Sequence, residues 1–277
     1  MSTIEKAVNK LKDDSGKRDH NINYSEEESD GCKASIALPW KEMAEKGMLT
    51  PDGGRSQIAE ELRAIKRPLL KNAFSDGYVD NKRSNLIMVT SSVPGEGKSF
   101  SSINLAVSIA MELDRTALLV DADVARPSIA KYLGFRAKTG LVDYLLDDNI
   151  ALSDVLLKTD LPALSILPAG RQHHYSTELL ASENMKILLD ELATRYHDRV
   201  IIFDSPPILA TSEAQVLASQ MGQVVMVVEA ISTSQAVLKE ALSKISQVNI
   251  SGLVLNKSRV KKGGSHYEYD YYGHKDN

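Results

Sequence analysis

The sequence predicts an α/β fold, a mostly parallel sheet with helices on both faces. Three observations predict it. From residue 86 onward, short runs rich in Val, Ile and Leu alternate with segments of helical periodicity. Several of those runs are apolar at every position, as strands covered on both faces must be. Two of them end in aspartate and one runs into a glycine-rich turn, all at the edge where parallel sheets bind ligands.

Composition narrows the class further. Hydrophobic residues make up 43% of the 277, enough for a packed core. The 33 Lys and Arg against 37 Asp and Glu leave a net charge of −4, which offers no bulk attraction to nucleic acid or anionic lipid. The longest apolar run of the main domain, 224–228, is far below the ~20 residues of a membrane span. Cys32 stands alone, so no internal disulfide forms. No apolar N-terminal segment resembles a signal peptide. The expectation is a soluble, cytoplasmic protein.

Along the chain, residues 1–55 are polar and mixed in charge and are expected to be a flexible segment. Within it, Ile4, Val8 and Leu11 mark a weak amphipathic helix. Residues 56–85 read as a helix and a loop. Ile58, Leu62, Ile65 and Leu69 place the helix at 56–72, with Pro68 expected to disturb its last turn. The main domain covers 86–258, with strands at 86–90, 117–121, 164–167, 200–203, 224–228 and 252–255. Its helices fall at about 99–112, 141–147, 177–196, 211–220 and 233–246. Residues 259–277 form a tail, expected to be flexible, that is first basic and then rich in tyrosine.

The strongest chemical signal is Ser92-Val93-Pro94-Gly95-Glu96-Gly97-Lys98-Ser99, between the first strand and its helix. A phosphate-binding loop requires that context. Its glycines let backbone N–H groups curl inward onto phosphate oxygens, and the helix N-terminus adds partial positive charge. Lys98 can neutralise the β- and γ-phosphates of ATP, and the Ser99 hydroxyl can ligate Mg²⁺. The fold is therefore expected to be of the P-loop NTPase type. Asp121 and Asp204 end two further strands, which should set both carboxylates at the same sheet edge. Such groups hold Mg²⁺ or accept a proton from an attacking hydroxyl.

The chain end carries Tyr267, Tyr269, Tyr271 and Tyr272, four of ten tyrosines in the last eleven residues, where an even spread would put fewer than one. Interleaved Glu268 and Asp270 argue against stacking on nucleic acid. A cluster of phenols on a tail suits phosphoryl acceptance.

Together these residues resemble the bacterial tyrosine kinases (BY-kinases) of polysaccharide export systems. In that resemblance Pro94 to Ser99, with Phe100 following, is the Walker A loop. Asp121-Ala122-Asp123 is the Walker A′ motif, and Asp204-Ser205-Pro206-Pro207 is Walker B. The arginine usual two residues after the second A′ aspartate is Ala125 here, and Arg126 follows. Glu60, Arg63 and Lys66 resemble the family's Glu-x-x-Arg-x-x-Arg helix of ring-like self-association, with Lys in the last place. The terminal tyrosines correspond to the autophosphorylation cluster, and Asn256 to a position that reads adenine in related ATPases.

The resemblance implies an ATP- and Mg²⁺-dependent tyrosine autokinase that phosphorylates its own tail in trans and regulates exopolysaccharide synthesis or export. Lys98, Asp121, Asp123 and Asp204 are the expected catalytic residues, and Ser99, Asp121 and Asp204 the expected metal ligands. The implied partners are further copies of the chain and a membrane chain-length regulator that recruits this stand-alone type to the inner face of the membrane. The alternative is a ParA/MinD-like ATPase switch without tyrosine transfer. Those ATPases carry a lysine near the start of the loop, where this chain has Val93.

Overall fold

The computed structural model describes residues 35–54, 56–74, 83–195 and 198–258, with the backbone alone at 176 and 177. The expected Ile4–Leu11 amphipathic pattern and the tyrosine tail lie outside the described residues.

The sheet has seven strands: β1 Leu86–Ser91, β2 Thr116–Asp121, β3 Leu157–Lys158, β4 Leu164–Leu167, β5 Arg199–Asp204, β6 Gln223–Glu229 and β7 Ile250–Asn256. Their order across it is β3-β4-β2-β5-β1-β6-β7. All neighbours run parallel except the edge pair β3–β4. Six strands fall where the sequence places them, and β3 is a two-residue addition too short to show a period.

Period-two alternation divides the core. Leu86, Met88, Leu118, Val120, Ile201 and Phe203 face one side. There they meet α5 Leu141–Leu146, α8 Glu183–Arg195, α9 Ser212–Ser219 and α10 Gln235–Lys244. Ile87, Val89, Ala117, Leu119, Val200 and Ile202 face the other. That side is covered by α1 Trp40–Glu45, α2 Gln57–Phe74, α3 Lys98–Ala110 and α4 Ile129–Tyr132. Two short helices, α6 Leu152–Val155 and α7 Ser176–Leu179, complete the set. The helix expected at 177–196 is thus two, because the Ser182 hydroxyl accepts from Met185 N at 3.2 Å and caps a new start.

Two expectations change at the N-terminal side. The segment expected to be flexible up to residue 55 includes Leu38, Met43, Met48 and Leu49, all buried against α3 and its neighbours. Trp40 Nε1 donates to Asp160 at 2.9 Å, and Leu49 N to Asn104 at 2.6 Å. These apolar residues follow no long period, since α1 spans only six residues, and the polar stretch before them dilutes their signal. Helix α2 also runs through Pro68 to Phe74. Burial of Leu62 and Leu69 on its inner face offsets the missing N–H.

Candidate active site

The loop Ser92–Gly97 leaves β1, the strand between β5 and β6, so its phosphate-facing side opens at the carboxyl ends of the central strands. Gly95 and Gly97 have φ of +94° and +98°, values that a side chain disfavours. At Gly97 a Cβ would also stand 1.9 Å from the Asn256 amide nitrogen, so only glycine fits.

The register sets Asp121 directly opposite Asp204 at the ends of β2 and β5. Asp123 follows two residues later. Lys98, at the start of α3, reaches Asp123 Oδ2 at 2.6 Å and Asp204 Oδ1 at 3.7 Å. Three carboxyl groups and one ammonium are thus gathered in a nearly buried space. Ser102 Oγ donates to Asp204 Oδ1 at 3.2 Å, and Ser128 Oγ lies 2.8 Å from Ser99 Oγ. Neither Ser102 nor Ser128 stands out in the sequence, where the one reads as a helix residue and the other as a loop hydroxyl.

Burial pushes the Asp121 carboxyl up to about 7, and the charge of Asp204 adds to that effect. Burial also raises Asp204, against the pull of Lys98. For Lys98, burial acts to lower the pKa, but Asp204 and Asp123 outweigh it and hold the ammonium above the usual lysine value. The site therefore favours binding positive charge or protons beside a lysine that stays charged.

Asp121 Oδ1 and Asp204 Oδ2 are buried without a hydrogen-bond partner. Orphaned carboxylate oxygens beside the Ser99 hydroxyl are hard donors of the kind Mg²⁺ takes, so these residues fit that ion. No group of three or more His, Cys, Asp or Glu among the described residues is set to hold a metal by itself. The protein would supply part of the coordination shell, as is usual for Mg²⁺ at phosphates, where water and phosphate oxygens supply the rest.

A cleft of about 550 Å³ opens over this cluster, within the range of ligand pockets. Pro94, Gly95, Gly97, Lys98, Ser99 and Phe100 line it from the loop and α3. Asp123, Ala125 and the exposed Arg126 line it from the turn after β2. Asp121 stands behind that wall, its Oδ2 accepting from Ser128 N and Ile129 N at 3.1 and 3.0 Å at the start of α4.

Three expected site residues sit differently from the sequence reading. The Glu96 side chain does not line the cleft; it is buried, accepting from Val93 N at 2.8 Å and from Thr233 Oγ1. A carboxylate facing phosphate would repel it, so the loop turns Glu96 away and uses it as a brace. Asn256 lines a second, apolar hollow beside α2 and donates to Glu96 O at 2.8 Å. Lys66, expected at a subunit contact, is 8% exposed at its side chain; Nζ donates to Ser108 O at 2.6 Å and pairs with Glu112. It staples α2 to α3, whereas Glu60 and Arg63 pair with each other on the open face at 57% and 42% exposure. Arg67 is exposed next to it.

No helix among the described residues is long and apolar enough to cross a membrane. Comparison with known proteins agrees with the fold and the loop. Residues 84–258 match the AAA domain family. The chain is 34% identical over 200 residues to the tyrosine-protein kinase YwqD of Bacillus subtilis, covering 71% of this chain and 81% of that one. It is 32% identical over 188 residues to the tyrosine-protein kinase ptk of Acinetobacter johnsonii, covering 67% of this chain but only 25% of the relative, so it spans about a quarter of that longer protein. The crystal structure of the VpsO kinase domain is 33% identical and superposes with a TM-score of 0.58, over 73% of this chain and 98% of that one. With the Walker loop, the paired aspartates and the parallel sheet in place, these matches put the chain in the family of bacterial tyrosine-protein kinases.

Proposed function

We propose that the chain is an ATP-dependent protein-tyrosine kinase that phosphorylates the tyrosines of its own C-terminal tail, on a neighbouring copy, within machinery that regulates exopolysaccharide synthesis or export. The observation that carries this reading is the set of Lys98, Asp121, Asp123 and Asp204 gathered behind the phosphate loop, beneath a cleft large enough for a nucleotide that Lys98 and Asp123 line.

In the proposed reaction Lys98 exchanges Asp123 for the β- and γ-phosphate oxygens, and the loop N–H groups hold the same phosphates. Bound Mg²⁺, held by Ser99 and Asp204 with Asp121 nearby, would neutralise charge on those phosphates. A tyrosine hydroxyl with a pKa of ~10 must lose its proton in or before the transition state. Asp121 Oδ1, the oxygen left free by the amides of α4, takes that proton; the phenolic oxygen bonds to the γ-phosphorus as the bond from that phosphorus to the β–γ bridging oxygen breaks, and ADP leaves. Asp123 and Arg126, on the cleft wall, orient the incoming tail. Positioning and charge neutralisation supply most of the acceleration.

The acceptors begin eleven residues past Asn256, a reach that suits a neighbour's cleft. Glu60 and Arg63, and Arg67 in place of the inward Lys66, form the proposed contact of a ring. Several phosphotyrosines would add like charge and loosen that ring. A membrane-embedded chain-length regulator is the proposed partner that brings the kinase to the inner membrane face.

Mixing tests this reading. Lys98→Met chains with intact tails are combined with active chains lacking 259–277, and ATP is added. Labelling of the intact tails supports trans transfer. ATP hydrolysis with no labelled tyrosine supports the switch-like ATPase instead.

A further inference from the structure

The phosphate loop is held from two sides. Its inner side faces the cleft. Its outer side carries the carbonyl oxygens of Gly95 and Glu96, and both receive donors from the end of β7. Asn256 Nδ2 donates to Glu96 O at 2.8 Å and Lys257 Nζ to Gly95 O at 2.8 Å. Neither Asn256 nor Lys257 lines the main cleft. The Lys257 ammonium is also paired with Glu229 Oε2 at 3.0 Å, so it acts as a directed donor and not as a free charge.

The backbone records a cost for this arrangement. Lys257 has φ of +55°, one of two non-glycine residues with positive φ among those described. A side chain there is strained. Such strain persists only when surrounding contacts fix it, and here the bend carries the lysine stem back over the loop. A loop that binds phosphate needs its N–H groups inward and therefore its carbonyls outward. A donor fixed on the outward carbonyl of Gly95 holds the flanking peptide planes in that sense, in a glycine-rich stretch that would otherwise rotate freely.

We infer that Lys257 is a positioning residue for nucleotide binding: its ammonium, reaching the Gly95 carbonyl from outside, holds the phosphate loop in its binding-competent shape. The inference rests on the nucleotide reading of the cleft and extends it to Lys257, the first of the basic residues Lys257, Arg259, Lys261 and Lys262. It separates two roles at the end of β7, since Asn256 closes against Gly97 while Lys257 fixes Gly95.

The test compares fold stability with nucleotide affinity in the intact chain. Binding of a fluorescent ADP analogue with Mg²⁺ is titrated for the unaltered chain, Lys257→Met, Lys257→Gly and Glu229→Gln, and Tm is measured for each without nucleotide. Lys257→Met and Lys257→Gly are expected to bind about tenfold more weakly, the scale of one lost charge-assisted hydrogen bond. Glu229→Gln keeps the contact to Gly95 and should bind within about twofold of the unaltered chain. Lys257→Gly relieves the positive φ, so its Tm should stay level or rise while its affinity falls. A purely structural lysine would make the two move together. Unchanged affinity in both Lys257 variants overturns the inference. Absence of binding by the unaltered chain overturns the nucleotide reading itself.

Discussion

The two strands that flank β1 end at the same rim and do different work. β5 ends in Asp204, fully buried, facing Asp121 and reached by Lys98. β6 ends in Glu229, with 27% of its side chain exposed, paired with Lys257 near a loop that ties Thr233 to Glu96. Charge is costly on the first side and cheap on the second. The buried side can therefore drive chemistry, because its unsatisfied carboxylate oxygens gain strongly from a cation or a proton. The exposed side can only shape the loop, through hydrogen bonds each worth about 1 kcal/mol.

The largest expected effect breaks the buried side. Lys98→Met should lower tyrosine phosphorylation by about a thousandfold or more, as loss of a principal phosphate-neutralising group does. A phosphotyrosine immunoblot of purified protein after ATP incubation measures it. By contrast, Thr233→Val on the exposed side should leave most of the activity.

The second effect is pH-dependent. The folded Asp121 carboxyl sits at about 7 against an ordinary value of 3.8, so the folded state holds the proton more tightly. Stability from this group is full below about pH 4 and is lost as pH rises toward 7. In chelator and without nucleotide, the intact chain should lose Tm across that interval, and Asp121→Asn should flatten the slope and be the more stable of the two at pH 8. Thermal melts at several pH values decide it. An unchanged slope in the variant would remove Asp121 as the strained group.

Much of this contrast was legible in the sequence, for physical reasons. Runs such as Val200-Ile201-Ile202-Phe203 are apolar throughout because both faces are covered, so the strands and their acidic ends stand out. Gly95 and Gly97 mark a left-handed backbone that side chains disfavour. The direction of single side chains was not legible. Glu96 and Lys66 belong to motifs, yet each is drawn inward by a partner more than 40 residues away along the chain, Thr233 for the first and Ser108 for the second. Lys257 shows no motif, since its role depends on a turn that sequence does not announce. Buried Met43 was hidden because a six-residue helix has too few turns to show a stripe.

Three smaller effects sharpen the same lesson. Met43→Ala should destabilise the fold by about 2–4 kcal/mol, read by urea denaturation, because it empties a buried position beneath α3. A freely moving segment would show no change. Lys66→Met should cost about 1–2 kcal/mol through the lost Ser108 contact, without altering self-association. Arg63→Ala should do the reverse, weakening assembly in analytical ultracentrifugation with Tm nearly constant.

The most direct test of the central claim is phosphosite mapping by mass spectrometry after purified chain is incubated with ATP and Mg²⁺. The account predicts phosphate on residues within Tyr267, Tyr269, Tyr271 and Tyr272, absent from the Lys98→Met control. Hydrolysis of ATP with every one of those tyrosines unmodified, with and without a membrane partner, would contradict it.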